Sequence, residues 1–268
     1  MMKDIIKKAY QNVESLESYD KESLEEYRKN RLKQQIDVYL LINNFITENI
    51  KLLDIGSGSS ALSYLLDNKE VLKFSDCVEL SESRYNFAQK WKKDEDFFKV
   101  KNHNVEIGKY LFENDKYNLI TCIDNTFSYI GLYNNENEIV DILNNIYDSL
   151  HESGYLILEV SLFANIVKQI NSSDLDIIQE FVVNKGENFI ALWEHRLLSP
   201  TIMNIKSKYI SEDCNVKEKE ENSRIFNLKE LTNWLNNTGF VDIKIFSNFK
   251  QYVYIDGKSD KLVLVCKK

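Results

Sequence analysis

Residues 52–66, LLDIGSGSSALSYLL, constrain the fold of this chain more than any other stretch. An apolar run reaches Asp54, a turn of small residues follows, and apolar residues then return at helical spacing. A strand, a glycine turn and a helix in this order commonly hold a nucleotide-like ligand. Gly56-x-Gly58-x-x-Ala61 satisfies the relaxed dinucleotide fingerprint, and a tight turn that binds no ligand is a further interpretation.

The composition limits the class of protein. A chain of 268 residues with 43% apolar residues can form one large domain, or one domain with an insertion. A formal charge of -8 argues against nucleic acid as a partner, because binding many phosphates needs a basic face. The N-terminus turns polar too early for a signal peptide, and no apolar run is long enough for a membrane span. We therefore expect a cytoplasmic protein without a membrane partner.

The cysteines give no metal or redox motif. They are widely spaced and form no C-x-x-C pair: Cys77, Cys122, Cys214 and Cys266. We expect them to be small buried hydrophobic residues in a reducing compartment.

The first part of the chain alternates between strand and helix patterns. Residues 22–47 predict one long helix with Leu32, Ile36 and Leu40 on one face. Strands are predicted at 50–55, 74–80, 97–102, 117–123 and 155–160. Helices are predicted at 60–67, 82–93, 106–113 and 136–150, the last opened by an Asn135-x-x-Glu138 capping box. Such alternation indicates a parallel sheet covered on both faces.

The pattern changes after the fifth strand. Helical segments are predicted at 162–183, and alternating runs at 188–198, 202–210 and 217–227 predict antiparallel strands that form a cap. A helix at 228–238 is predicted from the Asn227-x-x-Glu230 box and from Gly239 as its C-terminal stop. Strands at 241–246 and 261–266 complete the chain.

These elements predict an α/β fold: a Rossmann-like three-layer sandwich with a mostly parallel seven-stranded sheet, an antiparallel edge strand and a small antiparallel β cap inserted after strand five. The predicted units are an N-terminal helical segment over the active site at 1–48, the cofactor-binding half at 49–161, the cap on the substrate side at 162–226, and the closing helix and strands at 227–268.

Two carboxylates narrow the choice of ligand. Asp54 stands two positions before the first glycine, where the dinucleotide fingerprint normally has an apolar residue. A buried carboxylate there needs a cationic or hydrogen-bonding partner. Glu79 ends the second strand, 25 residues later, where a carboxylate can accept both hydroxyls of a ribose. Both NAD and S-adenosylmethionine contain such a ribose.

At this point the sequence resembles the class I S-adenosylmethionine-dependent methyltransferases over nearly its whole length. Four stretches carry the resemblance in the family's order: LLDIGSGSS, CVELSESRYNFAQKW, YDSLHESGYLILEV and RIFNLKELTNWLNNTGFVDIKIF. Ser60 stands where the third glycine of the first motif is usual. The resemblance implies S-adenosyl-L-methionine as the cofactor and a small molecule as the methyl acceptor.

The resemblance also implies roles for individual residues. Asp54 would lie near the methionine amino group or an ordered water, and Glu79 would hold the ribose hydroxyls. The other implied cofactor contacts are the backbones of Gly56, Ser57 and Gly58, then Leu80 on the adenine, Asn104 and Val105 at the adenine edge, Ile123 after strand four, and Arg31 at the cofactor carboxylate.

The segment YNLITCIDNTFSYIG resembles the fourth strand and loop of glycine- and sarcosine-type methyltransferases. It implies that Asn125 faces the acceptor, with Tyr129 where that group often has histidine. In the cap, His195 shares a strand face with Trp193 and is the best candidate for substrate contact. Adjacent Asp124 and Asn125 weakly resemble a metal-dependent type, but one pair does not make a metal site, so none is expected.

We therefore expect a methyltransferase that acts on an oxygen or nitrogen of a small polar metabolite, such as a sugar or a surface-polysaccharide precursor. The expected assembly is a monomer or a homodimer. Two alternatives stay open: an NAD(P)-dependent oxidoreductase, favoured by the glycine spacing, and a non-catalytic relative that binds the cofactor.

Overall fold

The computed structural model describes residues 21–173, 176–184, 189–211 and 216–268. Strands β1 to β5 are Ile50–Ile55, Leu72–Glu79, Val100–Asn104, Tyr117–Cys122 and Leu150–Ser161. Strands β6 to β11 are Ile177–Asn184, Phe189–Ser199, Ile202–Ser211, Val216–Arg224, Val241–Phe246 and Lys261–Lys267. Helices α1 to α8 are Lys21–Gln34, Ile36–Asn43, Ala61–Asn68, Glu82–Asp94, Thr126–Tyr133, Glu136–Ser149, Ala164–Ser172 and Leu228–Thr238.

The main sheet confirms the predicted fold. Its seven strands follow the order β10-β11-β5-β4-β1-β2-β3, and β1 to β5 pair in parallel. Strand β11 runs antiparallel to both β5 and β10. The order of strands reverses between β1 and β4. In open sheets of this kind, ligands bind at the carboxyl ends of the strands beside such a reversal.

Helices cover both faces of this sheet. One face packs against residues of α5, α6 and α8, among them the fully buried Phe127, Ile139 and Leu235. The other packs against α2, α3 and α4, where Tyr64 and Trp91 are fully buried. A parallel sheet needs such cover because both of its faces are apolar.

The N-terminal helix differs from its prediction. It is broken at Gln35 into α1 and α2 and ends at Asn43, before the predicted residue 47. The predicted face was wrong for Ile36 and Leu40, which are 42% and 53% exposed, whereas Leu32 packs against the core as predicted. Val38, Leu41 and Ile42 are buried instead, because the break changes the helical phase that a single continuous pattern assumes.

Three further elements were mispredicted. The helix expected through residue 183 ends at Ser172, and the β-branched stretch that follows forms β6 along β7. Residues 106–113 contain only the short 3₁₀ turn Ile107–Lys109. Helix α5 was not predicted at all. The predicted antiparallel cap is confirmed as a four-stranded sheet in the order β6-β7-β8-β9.

Several other local predictions agree with the structure, although β3 begins at Val100 rather than at the predicted residue 97. Both side chains of the Asn135 and Glu138 capping box form their hydrogen bonds, and Asn227 caps α8, which Gly239 ends. Three of the cysteines, Cys77, Cys122 and Cys266, are buried and free, and Cys214 lies outside the described residues. Within the described ranges, no helix combines the length and apolarity that a membrane crossing requires.

A polar network is buried on one side of β2. Asp76 is 3% exposed, and it accepts hydrogen bonds from His103 Nε2 and Tyr117 Oη at 2.8 Å. Lys116 Nζ lies 3.0 Å from the same carboxylate. Burial alone would raise the pKa of Asp76, but these three partners outweigh it and lower the pKa below its ordinary value. The ionised carboxylate therefore stabilises the fold.

We predict that Asp76→Asn lowers the free energy of unfolding at pH 7 by roughly 2 kcal/mol, since hydrogen bonds to a charged group contribute about 1.5–3 kcal/mol each. The lowered pKa means that wild type holds this advantage above the unfolded pKa of about 3.9 and loses it as pH falls through the folded value. Urea unfolding from pH 7 to 3 measures both effects. Asp141→Asn, at an exposed position, is the control. If the difference in free energy of unfolding between wild type and Asp76→Asn did not become smaller at acidic pH, the prediction would be wrong.

Candidate active site

A cavity of about 360 Å³ opens at the carboxyl ends of β1, β2 and β4. Its lining comes from the end of α1, the turns after these three strands and after β3, the first turns of α3 and α4, helix α5 and cap strand β9. These parts are far apart in sequence. The strand order brings them together beside the reversal between β1 and β4.

The turn after β1 lines the cavity with backbone. Gly56 and Gly58 have φ values of 71° and 56°, in the region that side chains disfavour. A Cβ at Gly56 would also overlap the Thr126 side chain, so glycine is required there on two counts. Ser60, at the usual third-glycine position, adopts φ 61° and donates a 2.8 Å hydrogen bond from its hydroxyl to Asn102. This departure from the family pattern therefore leaves the turn intact.

Asp54 lies at the end of β1 and is only 2% exposed, although it lines the cavity. The sheet register places it opposite Thr121, whose hydroxyl donates a 2.7 Å hydrogen bond to Asp54 Oδ1. Burial raises the pKa of Asp54 to about 7; the Thr121 hydrogen bond opposes this, and the nearby charges of Asp124 and Glu79 add to it. A cation bound beside Asp54 would favour its charged form.

Glu79 lines the cavity at the end of β2 and is 8% exposed. Its Oε2 accepts the Gly58 N–H at 2.8 Å, and its Oε1 accepts the Ser81 N–H at 2.7 Å. A carboxylate oxygen carries two lone pairs, so it can accept a ribose hydroxyl in addition to a backbone N–H. The two backbone bonds also support local structure, because they fasten the glycine turn to the start of α4.

Arg31 of α1 lines the cavity at the glycine turn. Its Nη2 lies 3.8 Å from the point where a Cβ would stand if residue Gly58 carried a side chain. Its Nη1 donates to Gln34 Oε1 at 2.9 Å. The Arg31 Nε and the Ser57 hydroxyl are buried without a hydrogen-bond partner among the described residues. Unpaired buried polar atoms on both sides of this turn fit a ligand with polar and anionic groups.

The predicted adenine contacts divide into two groups. Leu80 and Val105 line the cavity, together with the buried Ile107. Asn104 is not among the described lining residues, and its amide donates to the carbonyls of Glu79 and Leu80 at 3.0 and 3.2 Å. Asn104 therefore joins the ends of β2 and β3 rather than facing the cavity.

The residues predicted to act on the loop after β4 also fall into two groups. Ile123 and Tyr129 line the cavity. Asn125 does not line it in the described part of the chain: its Nδ2 donates to Ser223 Oγ and its Oδ1 accepts the Ser161 N–H, both at 2.9 Å. Its side chain fastens this loop to the cap, and its neighbour Asp124 lines the cavity instead.

His195 is not brought to the cavity, as far as the described lining shows. It is 5% exposed on β7, parallel to the Trp193 ring at a centroid distance of 6.3 Å and 6.1 Å from Phe163. The predicted face shared with Trp193 is correct. Burial lowers the pKa of His195, and Glu180, 4.0 Å from its Nδ1, opposes that shift. The histidine belongs to the packed interior of the cap.

Several polar residues of the lining were not predicted from the sequence, among them Arg84, Tyr133 and Lys219. Arg84 could have been found, because it lies in the first turn of the helix that follows Glu79. Tyr133 follows Tyr129 by one helical turn, so it could have been found only if helix α5 had been predicted. Lys219 had no signal in the sequence, since only the placement of the cap brings β9 to the cavity.

No model of a known protein family and no curated protein matches this sequence. Solved structures do match. An S-adenosylmethionine-dependent methyltransferase from Clostridium acetobutylicum is 16% identical, with a TM-score of 0.67 over 89% of this chain and 91% of its own. The CcbJ methyltransferase from Streptomyces caelestis is also 16% identical, with a TM-score of 0.67 over 86% and 87%.

A third match is to CalS10 with bound S-adenosylmethionine, an amino pentose methyltransferase from Micromonospora echinaspora. It is 14% identical, with a TM-score of 0.63 over 93% of this chain and 98% of that one. At such low identities the likeness concerns the fold. The chain has the Rossmann-like fold of these S-adenosylmethionine-dependent methyltransferases.

Proposed function

We propose that this protein is an S-adenosylmethionine-dependent methyltransferase that acts on an oxygen or nitrogen atom of a small polar metabolite. One observation carries the proposal: a glycine turn and two buried carboxylates, Asp54 and Glu79, line one cavity at the strand reversal. This set offers a partner for an amino group, two acceptors for ribose hydroxyls and a close backbone approach. The fold shared with the methyltransferases above supports the same ligand.

Each proposed cofactor residue has a defined task. Asp54 would pair with the cofactor's amino group, Arg31 with its carboxylate and Glu79 with its ribose. Leu80 and Val105 would pack against the adenine. When bound, the cofactor supplies an activated methyl group on a sulfonium, so the protein's part in catalysis is to hold an acceptor in line and exclude water.

We propose a sugar or a surface-polysaccharide precursor as the first class of acceptor to test. CalS10, an amino pentose methyltransferase, is among the structures of similar fold. The glycine- and sarcosine-type resemblance of the loop after β4 favours an amine instead, so both chemistries belong in a screen. Our proposal also includes a cytoplasmic location, a monomer or homodimer, and no nucleic-acid partner.

Calorimetry with S-adenosylmethionine, S-adenosylhomocysteine and NADH tests the proposed cofactor. We expect both adenosyl compounds to bind and NADH not to bind. Binding of NADH alone would favour an oxidoreductase. Absence of binding by either adenosyl compound at high micromolar concentration would end the proposal.

We predict that affinity for S-adenosylhomocysteine falls about tenfold for each pH unit below 7, because the ligand's ammonium group needs Asp54 ionised and the pKa of Asp54 is about 7. Affinity should fall again only at more alkaline pH, where the ligand's own ammonium group loses its proton, because the neighbouring carboxylate of the ligand holds that pKa above the pKa of a peptide N-terminus. Calorimetry from pH 5.5 to 9 measures this curve. Asp54→Asn should bind S-adenosylhomocysteine more weakly, and its affinity should no longer fall as the pH drops below 7. If the affinity of that variant still fell below pH 7 as it does in wild type, Asp54 would not be the partner of the ligand's ammonium group.

We predict that Glu79→Ala weakens S-adenosylhomocysteine binding at least tenfold, because it removes hydrogen bonds to a charged acceptor worth roughly 1.5–3 kcal/mol each. It should also lower the Tm of the ligand-free protein, since the N–H groups of Gly58 and Ser81 lose their acceptor. Titration at a temperature where the variant is folded separates the two effects. Glu82→Ala, an exposed carboxylate nearby, is the control. Unchanged affinity in Glu79→Ala would exclude Glu79 from the ribose site.

A further inference from the structure

Helix α5 provides a wall of the cavity that the proposed cofactor contacts leave unassigned. Thr126, Tyr129, Ile130 and Tyr133 all line the cavity, at the spacing of one helical face. Two tyrosines on successive turns present flat rings and hydroxyl groups. Such a wall suits the body of a small polar molecule, which packs on the rings and hydrogen-bonds to the hydroxyls.

Asp124 stands at the start of this wall. It lines the cavity and is exposed, whereas the Asn125 side chain is hydrogen-bonded to Ser161 and Ser223. Asp124 also lies close enough to Asp54 for its charge to act on that buried carboxylate. It is therefore a carboxylate at the cavity, beside the residue proposed for the cofactor's amino group and next to the aromatic wall.

The backbone at Asp124 is held in an unusual conformation. Asp124 and Asn125 have φ values of 53° and 63°, two consecutive left-handed residues that are not glycine. The fully buried Glu159 fixes this turn by accepting the Asp124 N–H at 2.6 Å, and Lys261 Nζ lies 2.6 Å from the other oxygen of Glu159. The buried Glu159 carboxylate, paired with the half-exposed Lys261, thus maintains a costly conformation whose result is to present the Asp124 carboxylate at the cavity.

We propose that Asp124 binds the nucleophilic group of the methyl acceptor and takes its proton, so the acceptor is a hydroxyl or amino compound. This inference rests on the proposed function and deepens it. A carboxylate accepts hydrogen bonds only, and it therefore selects an acceptor atom that carries a hydrogen.

In the proposed step, an oxygen or nitrogen atom of the acceptor displaces the cofactor's sulfur at the methyl carbon. A lone pair on the acceptor's oxygen or nitrogen forms the bond to the methyl carbon, and the electron pair of the broken carbon–sulfur bond stays on sulfur. The acceptor's proton passes to the Asp124 carboxylate and then to water. Tyr129 and Tyr133 keep the acceptor in line while this happens.

Asp124→Asn tests the inference, because asparagine tolerates the left-handed backbone but cannot accept the proton. Asp96→Asn is the matched control, since Asp96 is another exposed left-handed aspartate, with φ 55°, outside the described cavity lining. The reactions use methyl-labelled S-adenosylmethionine with glucosamine or with a small-molecule extract of the source cells. Mass spectrometry locates the methyl group, and calorimetry measures S-adenosylhomocysteine affinity.

We expect Asp124→Asn to lower methyl transfer about a hundredfold or more, the range of general base catalysis. Its affinity for S-adenosylhomocysteine and its Tm should stay close to wild type, and Asp96→Asn should transfer normally. Equal transfer by Asp124→Asn and wild type overturns the inference. So does a matching loss of S-adenosylhomocysteine affinity, which would make Asp124 a cofactor residue, and so does methylation of an atom that carries no hydrogen. If wild type binds S-adenosylhomocysteine but transfers to nothing, the proposed function fails and this inference fails with it.

Discussion

The site depends on the two hydrogen bonds that Glu79 accepts from the backbone. Gly58 belongs to the turn after β1, and Ser81 caps the helix after β2, so one carboxylate joins the ends of two neighbouring strands. Parallel pairing of β1 with β2 brings these ends to the same edge of the sheet. The Val78 carbonyl of β2 also accepts the N–H groups of Gly56 and Ser57, so the turn is held to β2 at both of its glycines. Glu79, the proposed ribose ligand, therefore also holds the glycine turn that would bind the methionine part of the cofactor.

A second carboxylate plays a similar part on the other side of β1. Glu159 fixes the turn after β4 through the Asp124 N–H, and Lys261 of the antiparallel strand β11 compensates its charge. Asn125, the next residue of this turn, donates a hydrogen bond to Ser223 and so connects the turn to the cap. In both places a buried acidic side chain holds a backbone turn at a strand end. Cofactor and acceptor would thus be placed by separate anchors on one rigid sheet.

The sequence predicted the parts of the fold and site that depend on local pattern. The strand before Asp54, the glycine turn and the capped helices follow from short stretches of residues, and the structure agrees with them. The break at Gln35, the strand β6 and the cavity-facing position of Lys219 depend on what packs against each segment. Asn125 and His195 show the same limit: a sequence motif can place a residue near a site, but only the tertiary partners decide where its side chain points.

A crystal structure of the complex with S-adenosylhomocysteine would show whether the cavity around Asp54, Gly58 and Glu79 holds the adenosyl cofactor. We expect both ribose hydroxyls within hydrogen-bond distance of the Glu79 carboxylate, the ligand's amino group beside Asp54, and the sulfur facing the wall formed by Asp124 and Tyr129. A ligand bound elsewhere on the protein, or one in this cavity whose ribose makes no contact with Glu79, would show that the cofactor site is assigned wrongly.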